Sequence, residues 1–385
     1  MSPTSNWNYP TSVRFGAGRI SELAEHCRQH QILKPLLVTD AGLASAPITL
    51  AALQSLRDAG LAAELFADLK SNPIGANLDA GVASYRRGGH DGVVAFGGGS
   101  GLDMGKLIAF MSGQTRPVWD YEDIGDWWTR ANPDGIAPVI AVPTTAGTGS
   151  EVGRAGVITD ESTHTKKIIF HPKMMPKVVI CDPELTVGMP AKITAGTGMD
   201  ALSHCLEAYC APGFHPMADG IALEGMRLVA VALRRVVANP SDIEARAMMM
   251  AAAAMGATAF QKGLGGMHAL AHPIGALFDT HHGMTNATLM PYVLQFNRSV
   301  IDERIARLAA YLGLPGQSFD AFLNFILELR RDIDVPHTLR ALGVDASRAE
   351  LIAEMAVADP SAGGNPLPLD TQATRAIFDA AWSGI

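Results

Sequence analysis

The chain has 385 residues, with 30 lysines and arginines against 38 aspartates and glutamates, a formal charge of −8. That balance excludes a basic nucleic-acid binder on bulk electrostatics, and 48% apolar content over a length suited to two or three domains excludes a largely disordered protein. The four cysteines, Cys27, Cys181, Cys205 and Cys210, match neither a disulfide framework nor a CxxC metal knuckle and read as free thiols.

Taken in chain order, the opening MSPTSNWNYP has no basic patch and no apolar run, so no secretory signal is read and the cytoplasm is the expected compartment. Short apolar runs then alternate with helix-like segments: PLLVTD at 35–40, DGVVAFGGGS at 91–100, APVIAVPTT at 137–145 and KVVICDP at 177–183. This rhythm predicts a parallel sheet covered on both faces. Between the strands, ITLAALQSLRDAG at 48–60 has apolar residues at helical spacing and ends on a glycine. The acidic, aromatic WDYEDIGDWW at 119–128 reads as a surface loop or subunit contact.

After about residue 188 the strand-like runs stop and Ala/Met/Leu-rich helical patterns continue to Trp382. The expected division is an α/β domain over 1–188 and an all-helical domain over 189–385. The most apolar stretch, MMMAAAAMGATAF at 248–260, is too short for a membrane span and reads as a buried helix, so no membrane association is expected.

Two glycine loops follow strands. In GGGS at 97–100, glycines let backbone N–H groups approach an anion at the start of a helix. The GxGxxG fingerprint is not matched, because Leu102 stands at the third glycine position, and Ser100 with Asp103 has the spacing of a plain capping box. TTAGTGSE at 144–151 is the second loop, and two such loops in one sheet point to a phosphate or pyrophosphate site at the carboxyl ends of the strands. Asp40, ending PLLVTD, suits a ribose hydroxyl and would repel a 2′-phosphate, favouring NAD over NADP; it equally suits a turn before Ala41 and Gly42.

Six of the twelve histidines lie between 204 and 282. Asp200 and His204 are four apart, which on a helix sets their Cβ atoms about 5–6 Å from each other on one face. His268 and His272 repeat the spacing, and His281 and His282 follow. A divalent cation held by imidazoles and a carboxylate is the chemistry this suggests, with Zn²⁺ or Fe²⁺ both suited to the donors. Spacing alone leaves Glu207 open as a ligand and does not choose among the histidines. The absence of HExxH argues against a zincin hydrolase.

Together, GGGSGLDMGK (97–106), PTTAGTGSEV (143–152), DPELT (182–186), GMDALSHCLEAY (198–209), GLGGMHALAHPIGA (263–276) and HHGMTNATLMP (281–291) resemble the iron-containing, metal-dependent alcohol dehydrogenases over nearly the whole chain. The resemblance implies an N-terminal dinucleotide-binding α/β domain, a helical C-terminal metal-binding domain and an active site in the cleft between them. It implies metal ligands at Asp200, His204, His268 and His282, and a histidine near the nicotinamide at His272, the candidate for positioning or proton relay. Cofactor contacts would fall on Asp40, Gly97, Gly98, Gly99, Ser100, Asp103, Thr144, Thr145 and Thr148, with Lys166 an addition. The implied cofactors are NAD and Fe²⁺, or Zn²⁺ in its place. The implied reaction is hydride transfer between NAD and a small alcohol or aldehyde, in a homodimer or larger homo-oligomer.

Within the family, ADGIALEG (218–225), AFQKGLG (259–265) and YVLQFN (292–297) look most like 4-hydroxybutyrate dehydrogenases. An ω-hydroxy acid of the 4-hydroxybutyrate and succinate semialdehyde kind is therefore the expected substrate, with Arg154 or Lys262 as its carboxylate anchor. The alternatives are a hydroxyacid–oxoacid transhydrogenase and a short-chain alcohol or diol dehydrogenase.

Overall fold

A computed structural model describes residues 5–7, 11–70, 72–163 and 165–384. The opening ten residues, on which the secretory reading rests, fall largely outside this set. The chain divides into two compact units, one of residues 1–145 and 149–188, the other of residues 146–148 and 189–385.

Among the described residues the first unit has nine strands: β1 (Ser5–Trp7), β2 (Val13–Phe15), β3 (Pro35–Val38), β4 (Glu64–Phe66), β5 (Gly92–Gly97), β6 (Val139–Pro143), β7 (Ala155–Asp160), β8 (Thr165–Phe170) and β9 (Val178–Cys181). Seven form one sheet in the order β1-β2-β9-β6-β5-β3-β4, parallel throughout except for the antiparallel β1–β2 pair. The four apolar runs read from sequence are its central strands β3, β5, β6 and β9, and every residue in them is buried. Such strands lack polar alternation because helices cover both faces. Leu37, Val94, Phe96, Ile140, Val142 and Ile180 pack there with Leu23, Leu53 and Leu56 from the first two helices.

Those helices are α1 (Leu23–Gln29) and α2 (Pro47–Asp58), followed by α3 (Gly75–Gly88) and α4 (Gly99–Met111). The expected glycine stop of α2 is Gly60, at φ +80°, a left-handed conformation that favours glycine. β7 and β8 form a separate antiparallel hairpin, to which the sequence reading assigns no strand. The WDYEDIGDWW piece is more than a surface loop: Tyr121 is buried edge-on against Phe110, and Trp128 packs against Phe170 and His171.

The second unit contains helices α5 (Ala191–Cys210), α6 (Pro216–Ala238), α7 (Ile243–Ala259), α8 (Gly266–Phe278), α9 (His282–Tyr311), α10 (Phe319–Asp332), α11 (Ala349–Ala358) and α12 (Thr371–Ser383). α5 lies at its centre, packed on α6, α7 and α9. Small residues permit that packing. A Cβ on Gly256 of α7 would stand 3.0 Å from His204 Cβ, and one on Gly283 of α9 would overlap the Gly196 carbonyl of α5. No described helix is long and apolar enough to cross a membrane.

Candidate functional site

The first glycine loop joins β5 to α4. Gly97 adopts φ +140°, open to glycine alone, and the Thr144 amide donates to its carbonyl at 2.9 Å, tying the ends of β5 and β6 together. Gly98 lies against Thr145, where a Cβ would approach the threonine methyl to 3.2 Å. Asp40, at the end of neighbouring β3, accepts the Leu43 amide with Oδ1 at 3.1 Å, so it does form the turn that its sequence context suits. Its Oδ2 faces Gly97, 3.7 Å from where a Cβ would be.

Ser100 and Asp103 do not form a capping box. α4 begins after Gly98 without a side-chain cap, and Asp103 turns inward: Oδ1 accepts Ser150 Oγ at 2.5 Å and Oδ2 accepts the Val157 amide at 3.1 Å. Lys106 is buried beside it, with Nζ 3.3 Å from Asp103 Oδ1, donating to the Ser150 and Ala155 carbonyls. Through these contacts Asp103 holds the second glycine loop and β7 in place. Buried Glu151 is pushed up to about 7 by desolvation, against the pull of the Lys106 charge. Lys166 lies on β8 opposite Thr159, half-buried in the hairpin.

In the second unit, three helices converge on one centre. α5 supplies Asp200 and His204 from successive turns and α8 supplies His268; one donor atom from each lies within 4.8 Å of the others, and all three residues are buried. His282, the first residue of α9, adjoins them with Nε2 3.6 Å from Asp200 Oδ1. The His204 and His268 rings are stacked at 4.7 Å. Imidazoles and a carboxylate form a suitable donor set for Fe²⁺ or Zn²⁺. Buried His204 Nδ1 has no hydrogen-bond partner among the described residues.

Glu207 stands behind this cluster. Its carboxylate accepts the Met267 amide at 2.6 Å and meets His268 Nδ1 at 2.6 Å. Burial pushes Glu207 up to about 7, while burial and the neighbouring His204 hold His268 well below the ordinary imidazole range. Asn286, one turn along α9 from His282, directs its amide nitrogen into the middle: Nδ2 lies 3.0 Å from Asp200 Oδ1, 3.1 Å from His268 Nε2 and 3.2 Å from His282 Nε2.

His272 stacks on His282, rings 5.4 Å apart and 9° from parallel, and its Nδ1 lies 2.8 Å from Asp359 Oδ2. Burial alone would raise the Asp359 carboxyl, but the His272 contact, with the Ser361 amide and hydroxyl, holds it below its ordinary value. His281 and His215 have structural duties, capping α9 and α6 through the amides of Met284 and Ala218.

The two candidate carboxylate anchors differ. Lys262 Nζ is ion-paired with Asp219 at 2.6 Å and its side chain is only 2% exposed; Arg304 braces the same carboxylate at 3.2 Å. Arg154 is exposed, its guanidinium 5.5 Å from the centre of the Phe170 ring.

The model of the iron-containing alcohol dehydrogenases matches residues 10–183, and that of the family's C-terminal domain matches 194–382. The 4-hydroxybutyrate dehydrogenase of Cupriavidus necator is 40% identical over 93% of this chain and 94% of its own. The chain belongs to the iron-containing alcohol dehydrogenase family. Membership makes it an oxidoreductase. Among solved structures, a 1,3-propanediol oxidoreductase superposes with a TM-score of 0.92 at 37% identity, covering 99% of this chain and 100% of the other. A sulfoacetaldehyde reductase from Bifidobacterium kashiwanohense in complex with NAD+ does so at 0.87 and 29%, covering 100% of both.

Asp359 and Asn286 escape sequence reasoning. Asp359 gives no local signal, being 87 positions from His272. Asn286 does give one, the four-residue step from His282 that also joins Asp200 to His204.

Proposed function

We propose that this family member is an NAD-dependent, metal-dependent alcohol dehydrogenase acting on ω-hydroxy acids of the 4-hydroxybutyrate and succinate semialdehyde class. The observation that carries the reading is the meeting of Asp200, His204 and His268 donor atoms within 4.8 Å in a buried site. The substrate class is supported by the 40% identity to a 4-hydroxybutyrate dehydrogenase.

Asp200, His204, His268 and His282 hold the cation, and the amides at the start of α4, with Gly97–Gly99, Ser100, Thr144, Thr145, Thr148 and Lys166, hold the coenzyme. When bound, a divalent cation supplies Lewis-acid polarisation of the substrate oxygen and the nicotinamide supplies the hydride acceptor. Asp40, whose Oδ2 lies on the Gly97 side, would accept from a ribose hydroxyl of the coenzyme. His272, with Nδ1–H donated to Asp359, presents Nε2 as the lone-pair nitrogen at which the proton released on alcohol oxidation is taken up. Arg154 is the carboxylate anchor, since its planar guanidinium fork suits a bidentate carboxylate contact better than a lysine ammonium does.

A diol dehydrogenase is the second reading, supported by the 1,3-propanediol oxidoreductase likeness. The test is a screen of ω-hydroxy acids, diols and simple alcohols with NAD and NADP, on enzyme of measured metal content. The reading predicts the highest kcat/KM for a four-carbon ω-hydroxy acid with NAD. Preference for 1,3-propanediol would replace it with the second reading.

A further inference from the structure

The two nitrogens of the His268 ring meet polar groups of opposite kinds. Nδ1 lies 2.6 Å from Glu207 Oε2, while the other oxygen of that carboxylate accepts the Met267 amide. Nε2 lies 3.1 Å from Asn286 Nδ2, the nitrogen that donates to Asp200 Oδ1 at 3.0 Å. The Asp200 bond fixes which end of the Asn286 amide points inward, because turning it over would set oxygen against oxygen. An amide nitrogen has only hydrogens to offer. A proton on His268 Nε2 would therefore oppose donor to donor in a buried site, leaving one unsatisfied. One arrangement satisfies every contact: the proton on Nδ1, shared with Glu207, and the lone pair on Nε2, on the side of Asp200 and Asn286.

We propose that Glu207 is a positioning residue that selects the Nδ1–H tautomer of His268 and thereby sets the affinity of the centre for its divalent cation. The inference rests on the metal-centre reading above. Glu207 is itself fixed in place, because it is buried one turn beyond His204 on α5 and the Met267 amide anchors its free oxygen in line with the residue next to His268. A carboxylate behind a ligating imidazole fixes the ring's orientation and strengthens it as a donor; loss of such a partner typically weakens metal binding about 10–100-fold. Glutamine cannot replace it. Its single oxygen can serve the Met267 amide or the His268 Nδ1–H, and its NH₂ then opposes the other donor.

Two measurements test this. The first is the ring ¹⁵N chemical shifts of histidine-labelled, metal-free wild type, with the His268 signals assigned through His268→Gln. The second is the Zn²⁺ dissociation constant, by chelator competition, of wild type, Glu207→Gln and Glu207→Ala. We expect His268 to carry its proton on Nδ1, and Glu207→Gln to bind Zn²⁺ about 10–100-fold more weakly. A residue needed only for folding would lower the melting temperature on substitution and leave the Zn²⁺ affinity of the folded variant unmoved. An Nε2-protonated His268 in wild type overturns the proposal, as does unchanged Zn²⁺ affinity in folded Glu207→Gln. Where both variants fail to fold, an Nε2-protonated His268 in wild type still overturns the proposal. A wild type that binds no Zn²⁺ sinks the metal-centre reading too, whereas normal binding with unaffected variants sinks this inference alone.

Discussion

His272 Nδ1 stands 2.8 Å from Asp359 Oδ2, across 87 positions of sequence, and the same ring lies parallel to His282. Asp359 also begins the short turn Pro360–Gly364, accepting the Ser361 amide at 2.8 Å, so the carboxylate is fixed before it meets the imidazole. His272→Ala should lower kcat by roughly 100-fold or more, the usual contribution of a positioned acid–base group. Asp359→Asn should lower it less, because the asparagine oxygen can still accept from Nδ1. Metal content should stay at the wild-type level in both. Steady-state kinetics with metal analysis check this, and a near-wild-type rate in His272→Ala would remove the residue from proton transfer.

Asn286 supplies the hydrogens that three inward-facing acceptors share. Asn286→Asp would replace them with a carboxylate oxygen beside Asp200, leaving acceptors and like charge without a donor. The metal-free variant should lose about 2–3 kcal/mol of stability, and added Zn²⁺ should raise its melting temperature by more than it raises that of wild type. Thermal melts with and without Zn²⁺ decide the point; equal metal-induced gains in the two proteins would count against it.

Glu151 gives a pH dependence of definite sign. Its carboxyl ionises near 7 in the folded chain against an ordinary value of 4.5, so the folded state keeps a proton that the unfolded state releases in that window. Stability from this group is therefore complete below about 4.5, falls as the pH rises to about 7 and is level above. Glu151→Gln should be more stable than wild type at pH 8 by on the order of 2–3 kcal/mol, with the advantage shrinking toward pH 5. Denaturant unfolding of both proteins at the two pH values would show it, and a pH-independent difference would contradict it.

Arg154 and Lys262 should separate in a kinetic comparison. Arg154→Ala should raise KM for 4-hydroxybutyrate about 10-fold or more and leave KM for butanol near wild type, the pattern of a lost charge-assisted contact. Lys262→Met should leave that KM ratio unchanged and lower stability instead, because it strands Asp219 beside Arg304 alone. The reverse pattern would exchange their roles.

Legibility from sequence followed the range of the contacts. Asp200 with His204 and His268 with His272 stand out because one helical turn is a four-residue step, and β3, β5, β6 and β9 because buried parallel strands are continuously apolar. The three-residue strands β1, β2 and β4 are too short to show a period, and β7–β8, to which the sequence reading assigns no strand, mixes apolar with polar residues without a continuous apolar run. Asp103 shows the limit of local spacing: the distance to Ser100 fits a cap, yet the carboxylate is claimed by Ser150 and Val157, about fifty positions away. Glu207 shows the converse, for spacing sets it on the Asp200 face as a potential ligand, while the fold directs it to the far side of His268.

The central claim is a cation held by Asp200, His204 and His268 with His282, and metal quantitation of purified protein tests it most directly. Wild type should carry stoichiometric Fe²⁺ or Zn²⁺, and folded Asp200→Ala and His268→Ala should each carry almost none. Wild-type metal content in those variants, or a metal-free wild type that still reduces NAD with alcohol at full rate, would contradict the account.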